Sequence, residues 1–219
     1  MGKKETISIM LVVPLLFLWL TTSSSLAGPP DNYTGKMVME GMTMPMAKMG
    51  NKIRVENPMM QGLVNISLMD SQKMIMMSTA NKSYMEQPME REGTPSPDDP
   101  RVVIEKKQTG TETIDGHPCN KYDAVFYMKD KPSEKYKATL WEAKDLGGLI
   151  IRNETTLPPD KARGGKSKIV TELKDIKLGA AQASMFEVPK DYRKANNMME
   201  VMGGIEKMGD MFKQKKGKQ

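Results

Sequence analysis

Between residues 32 and 178 apolar positions recur on every second residue in short runs, the period of a strand with one covered face. Runs over 33–40 and 52–56 flank a Met-Gly-Asn turn at 49–51. Runs over 62–69 and 73–78 flank Asp70-Ser71-Gln72, and 83–87 is a further short extended piece. The Pro/Asp/Glu/Gly cluster at 88–100 cannot join a ladder easily and reads as a long loop. A second block follows. Runs over 102–114 and 120–128 flank Asp115-Gly116, a strong hairpin signal. Runs over 135–143 and 149–156 are separated by Asp145-Leu146-Gly147-Gly148, and 166–177 closes the set after the loop 158–165. The count is nine or ten strands. The pattern predicts a mainly β fold, a curved antiparallel sheet or half-open β-barrel, with the two blocks as halves of one sheet.

The period changes only near the C-terminus. From 191 to 212, Met198, Val201, Met202, Ile205, Met208, Met211 and Phe212 recur at helical spacing, opposed by Glu200, Glu206, Lys207 and Asp210. This predicts an amphipathic helix, weakened in the middle by Gly203-Gly204. It is read as packing over an exposed sheet face; the alternatives are a movable plug or a membrane-surface helix. A short turn is expected at 180–184. The expected organisation is a leader at 1–27, a β domain at 28–193 containing the loop 88–100, and a helix with a basic tail at 194–219.

Methionine changes the picture most. Fourteen fall between Met37 and Met89, and Met37, Met39, Met42, Met44 and Met46 alternate with other residues, as do Met74 and Met76. Alternation puts them on one face of a sheet. Thioether side chains adapt to irregular partners and are soft ligands for Cu(I). The chain has four Phe and 23 Met, so methionine must supply much of the interior. Met37 to Met46 are expected to point into the curved sheet, beneath a helix carrying Met198, Met202 and Met208. Solvent-facing methionines would defeat both the core and the pocket readings.

Lys3 and Lys4, the apolar run 7–20 and small residues at Ser25 and Ala27 read as a cleaved secretory signal, cut after Ala27. A periplasmic location follows. Loss of Lys3, Lys4 and Glu5 lowers the net charge from +6 to +5 (33 basic and 27 acidic residues become 31 and 26). Much of the excess lies in the tail 213–218, which can touch a membrane surface transiently or stay solvated. Scarce aromatics argue against nucleic acid. Cys119 is the single cysteine, so no intramolecular disulfide forms. The sequons at Asn32, Asn65, Asn81 and Asn153 are read as chance in a bacterial chain.

An enzyme is not expected. His117 is the one histidine, two residues from Cys119 on a turn, whereas catalytic partners normally converge from separate elements. Hydrolase, zinc-protease and P-loop signatures are missing, and no cofactor is expected. A Cu(I) site built from Met42, Met44 and Met46, with His117 and Cys119 as further soft ligands, is the second reading. An envelope scaffold with a methionine core and no ligand is the third. The first is a hydrophobic-ligand binder whose pocket uses Met37, Met39, Met42, Met44, Met46, Met74, Met76, Trp141 and Met202. A dozen buried methylenes would gain roughly 10 kcal/mol before ordering costs.

Gly110-Thr-Glu-Thr-Ile-Asp-Gly-His-Pro-Cys-Asn-Lys-Tyr122 and Met185-Phe-Glu-Val-Pro-Lys-Asp-Tyr192 carry a family resemblance. The chain resembles the periplasmic families around the outer-membrane lipoprotein carriers LolA and LolB, especially a Met-rich branch, over residues 31–193. Leu140-Trp141 with Leu149-Ile150-Ile151-Arg152 looks like the strand pair after that hairpin. The resemblance implies a half-open antiparallel barrel around an apolar cavity, plugged by helices, that takes lipid or acyl chains. The chain departs from those families in having only 28–32 before its first strand, and its main helix at the C-terminus.

Overall fold

The computed structural model describes residues 28–60, 62–89, 97, 99, 101–159, 162 and 167–203. The predicted leader and the tail beyond Gly203 lie outside the described residues. Twelve strands form a single sheet: β1 (Asn32–Met39), β2 (Met42–Met49), β3 (Lys52–Glu56), β4 (Leu63–Leu68), β5 (Lys73–Ser78), β6 (Ser83–Pro88), β7 (Val102–Ile114), β8 (His117–Met128), β9 (Tyr136–Ala143), β10 (Leu149–Thr156), β11 (Lys168–Leu178) and β12 (Arg193–Lys194). Their spatial order is β12-β6-β5-β4-β3-β2-β1-β11-β10-β9-β8-β7. All pairings are antiparallel except the short parallel contact of β12 with β6.

The two sequence blocks are therefore two meanders joined through β1 and β11, and the 88–100 segment connects strands at opposite ends of the sheet. The strand count exceeds the expected nine or ten because Met42–Met49 and the two-residue Arg193–Lys194 are strands of their own. Glu40 and Gly41, at φ of 52° and 82°, turn β1 into β2. That is the backbone of a type I′ hairpin, and Asp115-Gly116 repeats it between β7 and β8, at 50° and 84°. Pro45 sits inside β2 without breaking it.

Register fixes which side chains share a face. Met37 pairs with Met44, Met39 with Met42, and Gly35 with Met46. The same face continues through Val55 opposite Met46 and Ile53 opposite Lys48, then Asn65, Met76 and Met85. In the other direction it runs to Leu173 opposite Met37 and Thr171 opposite Met39, and to Asn153. The sheet curls toward this face. One hydrophobic cluster joins Met46, Val55 and Leu173 with Ile151 and Trp141. On a flat sheet β3 and β9, five steps apart, would be separated by roughly 24 Å.

The opposite face of β2–β6 is covered by the segment after β11. Ala47, Val64, Ile66, Ile75 and Met77 pack against Ala181 and Phe186, with Met185, Val188 and Tyr192 alongside. Asn32 exchanges two hydrogen bonds with Ala181, at 3.1 and 3.0 Å, and Arg54 Nη1 donates to the Met185 carbonyl at 3.0 Å. A 3-10 turn at Ala183–Phe186 lies a few residues beyond the short turn expected at 180–184.

The helix begins seven residues later than predicted, at Met198 rather than at 191, and the stretch 204–212 of the prediction lies outside the described residues. Arg193–Lys194 form the short strand β12 instead: the N–H groups of Arg193 and Ala195 donate to the Lys82 and Tyr84 carbonyls, at 2.9 and 2.7 Å, on the edge of β6. Among the described residues the one α-helix is α1 (Met198–Val201), capped by Asn197 Oδ1, which accepts from the Glu200 N–H at 2.9 Å. No described helix is long and apolar enough to cross a membrane.

Candidate functional site

A cavity of about 290 Å³ lies on the curled face. Its walls come from Met37 and Met39 of β1, Met46 of β2, Ile53 and Val55 of β3, Ile169, Thr171 and Leu173 of β11, and 150–153 with Thr155 of β10. Pro97, from the segment linking the two ends of the sheet, also borders it. The volume is close to the lower bound of ordinary small-molecule pockets, roughly 300–1,000 Å³. The walls are thioether and branched aliphatic along β1–β3. The opposite wall adds the short polar groups of Asn153, Thr155 and Thr171.

Backbone irregularities flank the cavity, and Gly35 among them lines a larger groove rather than this cavity. Gly35 stands opposite Met46, and a Cβ there would approach the Lys174 carbonyl oxygen to 3.0 Å. The β1–β11 register slips between Thr34 and Lys36, and the β9–β10 register slips between Ile150 and Arg152. Such bulges increase local twist and bend a strand. The second slip also leaves two consecutive isoleucines, Ile150 and Ile151, on the cavity wall.

The expected site residues divide into groups. Met37, Met39 and Met46 line the cavity. Met42 and Met44 share their face by register, Met44 buried and Met42 half-buried, but neither belongs to the wall. Met74 and Met76 continue the same face farther along the sheet. Met76 packs with Met60 and Met85 against Leu63, Ala195, Val201 and Met202. Thus α1 covers the Met76–Met85 end, not the Met37–Met46 stretch over which it was expected. The pairing of β12 with β6 and the buried Ala195 and Val201 hold it there.

Trp141 is buried but outside the cavity wall. It packs in the same cluster as the wall residues Met46, Ile151 and Leu173, and its register partner is Arg152. Its indole N–H donates to Glu112 at 2.8 Å, and Lys121 and Arg152 lie 5.0 and 4.9 Å from the ring centroid. That hydrogen bond first, and Lys121 second among the favourable contacts, holds the Glu112 carboxyl below its ordinary range. His117 and Cys119 sit on the β7–β8 hairpin: His117 Nδ1 is 2.7 Å from Asp145, and the buried Cys119 thiol donates to the His117 carbonyl at 3.3 Å. Burial pushes that thiol up. Among the described residues no three His, Cys, Asp or Glu side chains are grouped to hold a metal ion.

A larger groove of about 660 Å³ lies mainly on the other face. Lys36, Arg54, Glu56, Asp175 and Lys177 line it, and its charges are partly satisfied among themselves, Lys36 with Asp175 at 2.7 Å and Arg54 with Glu56 at 3.1 Å. The smaller cavity is the better candidate for an apolar ligand. Sequence reasoning missed the β11 and β10 walls, because the pairing of β1 with β11 brings together residues more than 130 positions apart. Ile53 and Val55 were within reach, since they alternate in a short strand next to the methionines.

Both motifs behind the family resemblance are packing devices. Gly110 follows the slip at Gln108 in the β7–β8 ladder, Cys119 is fully buried, and Phe186 is buried on the outer face. The model of a family described as a domain of unknown function (DUF4412) matches residues 31–151. Among curated proteins no sequence matches. Among solved structures the chain is similar to the lipoprotein LppX of Mycobacterium tuberculosis, at 15% identity and TM-score 0.44, covering 73% of this chain and 90% of that one. A LolA superfamily protein from Nitrosomonas europaea is similar at 10% identity and TM-score 0.32, with 74% and 91% covered. PNGF-II is similar at 14% and 0.39, over 84% of this chain and 33% of that one. These are loose likenesses, and the fold description rests on the strand pairing itself.

Proposed function

The chain belongs to the DUF4412 family, and we propose that it is an exported, non-enzymatic binding protein that holds a lipid or acyl chain against its methionine-lined curled sheet. The observation that carries this reading is the 290 Å³ cavity walled by Met37, Met39, Met46, Ile53, Val55 and Leu173. Burying one methylene there contributes about 0.8 kcal/mol, and flexible thioethers accept a chain without demanding one fixed shape. Asn153, Thr155 and Thr171 give the same cavity a hydrogen-bonding wall for a polar head. Met42, Met44, Met74 and Met76 extend the apolar face beyond the cavity, and Met202 closes its far end. The secretory leader read in residues 1–27 supports a periplasmic location.

The test is uptake of a fluorescent fatty acid by the exported protein, followed by displacement with unlabelled acids of increasing chain length. Affinity should rise about fourfold per methylene until the cavity is full. Absence of uptake, from protein whose native mass shows no bound lipid, contradicts the reading.

A further inference from the structure

We propose that the hairpin of β1 and β2 holds a Cu(I) ion on the thioethers of Met37, Met39, Met42 and Met44. The proposal does not rest on the acyl-chain reading. Register pairs Met39 with Met42 and Met37 with Met44 across the two strands, so all four share one face of the hairpin. Opposed side chains in such a ladder start about 5 Å apart, and residues two apart on one strand roughly 7 Å. Four flexible thioether stems thus rise from a rectangle small enough for several sulfurs to meet above its centre.

The Glu40-Gly41 turn fixes this rectangle. Its φ values of 52° and 82° are those of a two-residue hairpin, which makes Met39 and Met42 the first pair of the ladder. A slip by one residue would oppose Met39 to Thr43 and Met37 to Pro45, scattering the sulfurs over both faces.

Packing does not claim these sulfurs. Met76 and Met85 are register partners too, yet both pack against Leu63, Val201 and Met202. Met46 belongs to the core cluster with Ile151 and Leu173. Among the described residues Met39, Met42 and Met44 belong to none of the four hydrophobic clusters, and Met37 only borders one. Met44 is buried, the other three are half-buried, and Glu40, Gly41 and Thr43 beside them are exposed. An ion can therefore enter from the hairpin end and shed water as it binds.

The donor set selects the ion. Thioethers are neutral and soft, so they suit Cu(I) and not Mg²⁺ or Ca²⁺, which require oxygen ligands. His117 and Cys119 are engaged on the β7–β8 hairpin, His117 Nδ1 with Asp145 at 2.7 Å and the Cys119 thiol with the His117 carbonyl at 3.3 Å.

The test is titration of the purified exported protein with Ag(I), a redox-stable ion of similar softness, and with Cu(I) under argon against a chromophoric Cu(I) chelator. With ε-methyl labels, Ag(I) should shift Met37, Met39, Met42 and Met44 together, saturate at a single equivalent, and leave Met59, Met198 and Met199 in place. Losing a mere supporting partner of a metal ligand costs roughly 10–100-fold, so Met42→Leu with Met44→Leu should weaken binding by about 100-fold or more. Leucine keeps the apolar volume, so the thermal melt should stay level. Absence of binding, an unchanged affinity in the double variant, or shifts confined to other methionines overturns the proposal. Binding that disappears in folded Cys119→Ala also overturns it, since the lone thiol is then the ligand. Should the double variant melt lower, the methyl shifts of the unaltered protein decide alone.

Discussion

Replacing Val55 with Phe puts four additional carbons into the proposed ligand space. Val55 belongs to the cavity wall and is half-buried, on the same face as Met46. A methylene occupies about as much room as a water molecule's share of the liquid, ≈ 30 Å³, so 290 Å³ holds roughly ten. Their gross gain is about 8 kcal/mol, from which association and chain ordering subtract several. The ring displaces about four methylenes and should cost about 3 kcal/mol of affinity, a factor of 100 or more. Displacement of a fluorescent fatty acid reads the affinity, and a thermal melt of the ligand-free protein reads the packing. Growth into an empty cavity leaves the melting temperature level or raises it. Growth into filled space costs about 1–3 kcal/mol, or several degrees for a chain of this size. An affinity within threefold of the unaltered protein, or a clear fall in melting temperature, would refute the cavity argument.

Other expectations follow from particular contacts. Gly62 has φ of 83° and a Cβ there would come within 2.7 Å of Thr79 Oγ1, whereas Gly41, at φ of 82°, faces open space. Gly62→Ala should therefore destabilise by more than the roughly 1 kcal/mol of Gly41→Ala, as denaturant midpoints will report. Asp99 binds Arg101 through both carboxylate oxygens, with contacts of 2.6 and 2.9 Å, and this pairing depresses its pKa. A depressed carboxyl stabilises the fold above its unfolded value, near 3.9, and that stabilisation is lost as pH falls through the lower folded value. The melting difference between the unaltered protein and Asp99→Asn should thus amount to about 1 kcal/mol at neutral pH and shrink below about pH 4. Cys119, fully buried and with its thiol pushed up by burial, should react with a disulfide reagent only after unfolding.

The strands were legible where alternation and turn chemistry agreed. Val102–Ile114 and Leu149–Thr156 match the sequence boundaries because Asp115-Gly116 and Gly147-Gly148 end the neighbouring runs at positive φ. Met42–Met49 was harder. Its alternation was plain, but Glu40-Gly41 is an unusual turn pair and Pro45 argues against a strand. The start of the C-terminal helix was drawn too early, since Arg193 and Ala195 find carbonyl partners on β6, which periodicity cannot reveal. The same holds for the site. Alternation puts Met37, Met39 and Met46 on one face, but only the pairing of β1 with β11 shows that Leu173, Thr171 and Ile169 stand beside them. Trp141 looked like a pocket residue by type, but it is buried in the core cluster with its indole N–H bonded to Glu112, and it does not line the cavity.

The most direct test is a titration of methionine methyl resonances with a medium-chain fatty acid. Labelled at the ε-methyl carbon, Met37, Met39 and Met46 should shift together and saturate with the ligand, while Met59 and Met199 on the surface stay in place. Shifts confined to Met59, Met198 and Met199, or no shift at any of the cavity methionines, would contradict a ligand held in the curled sheet.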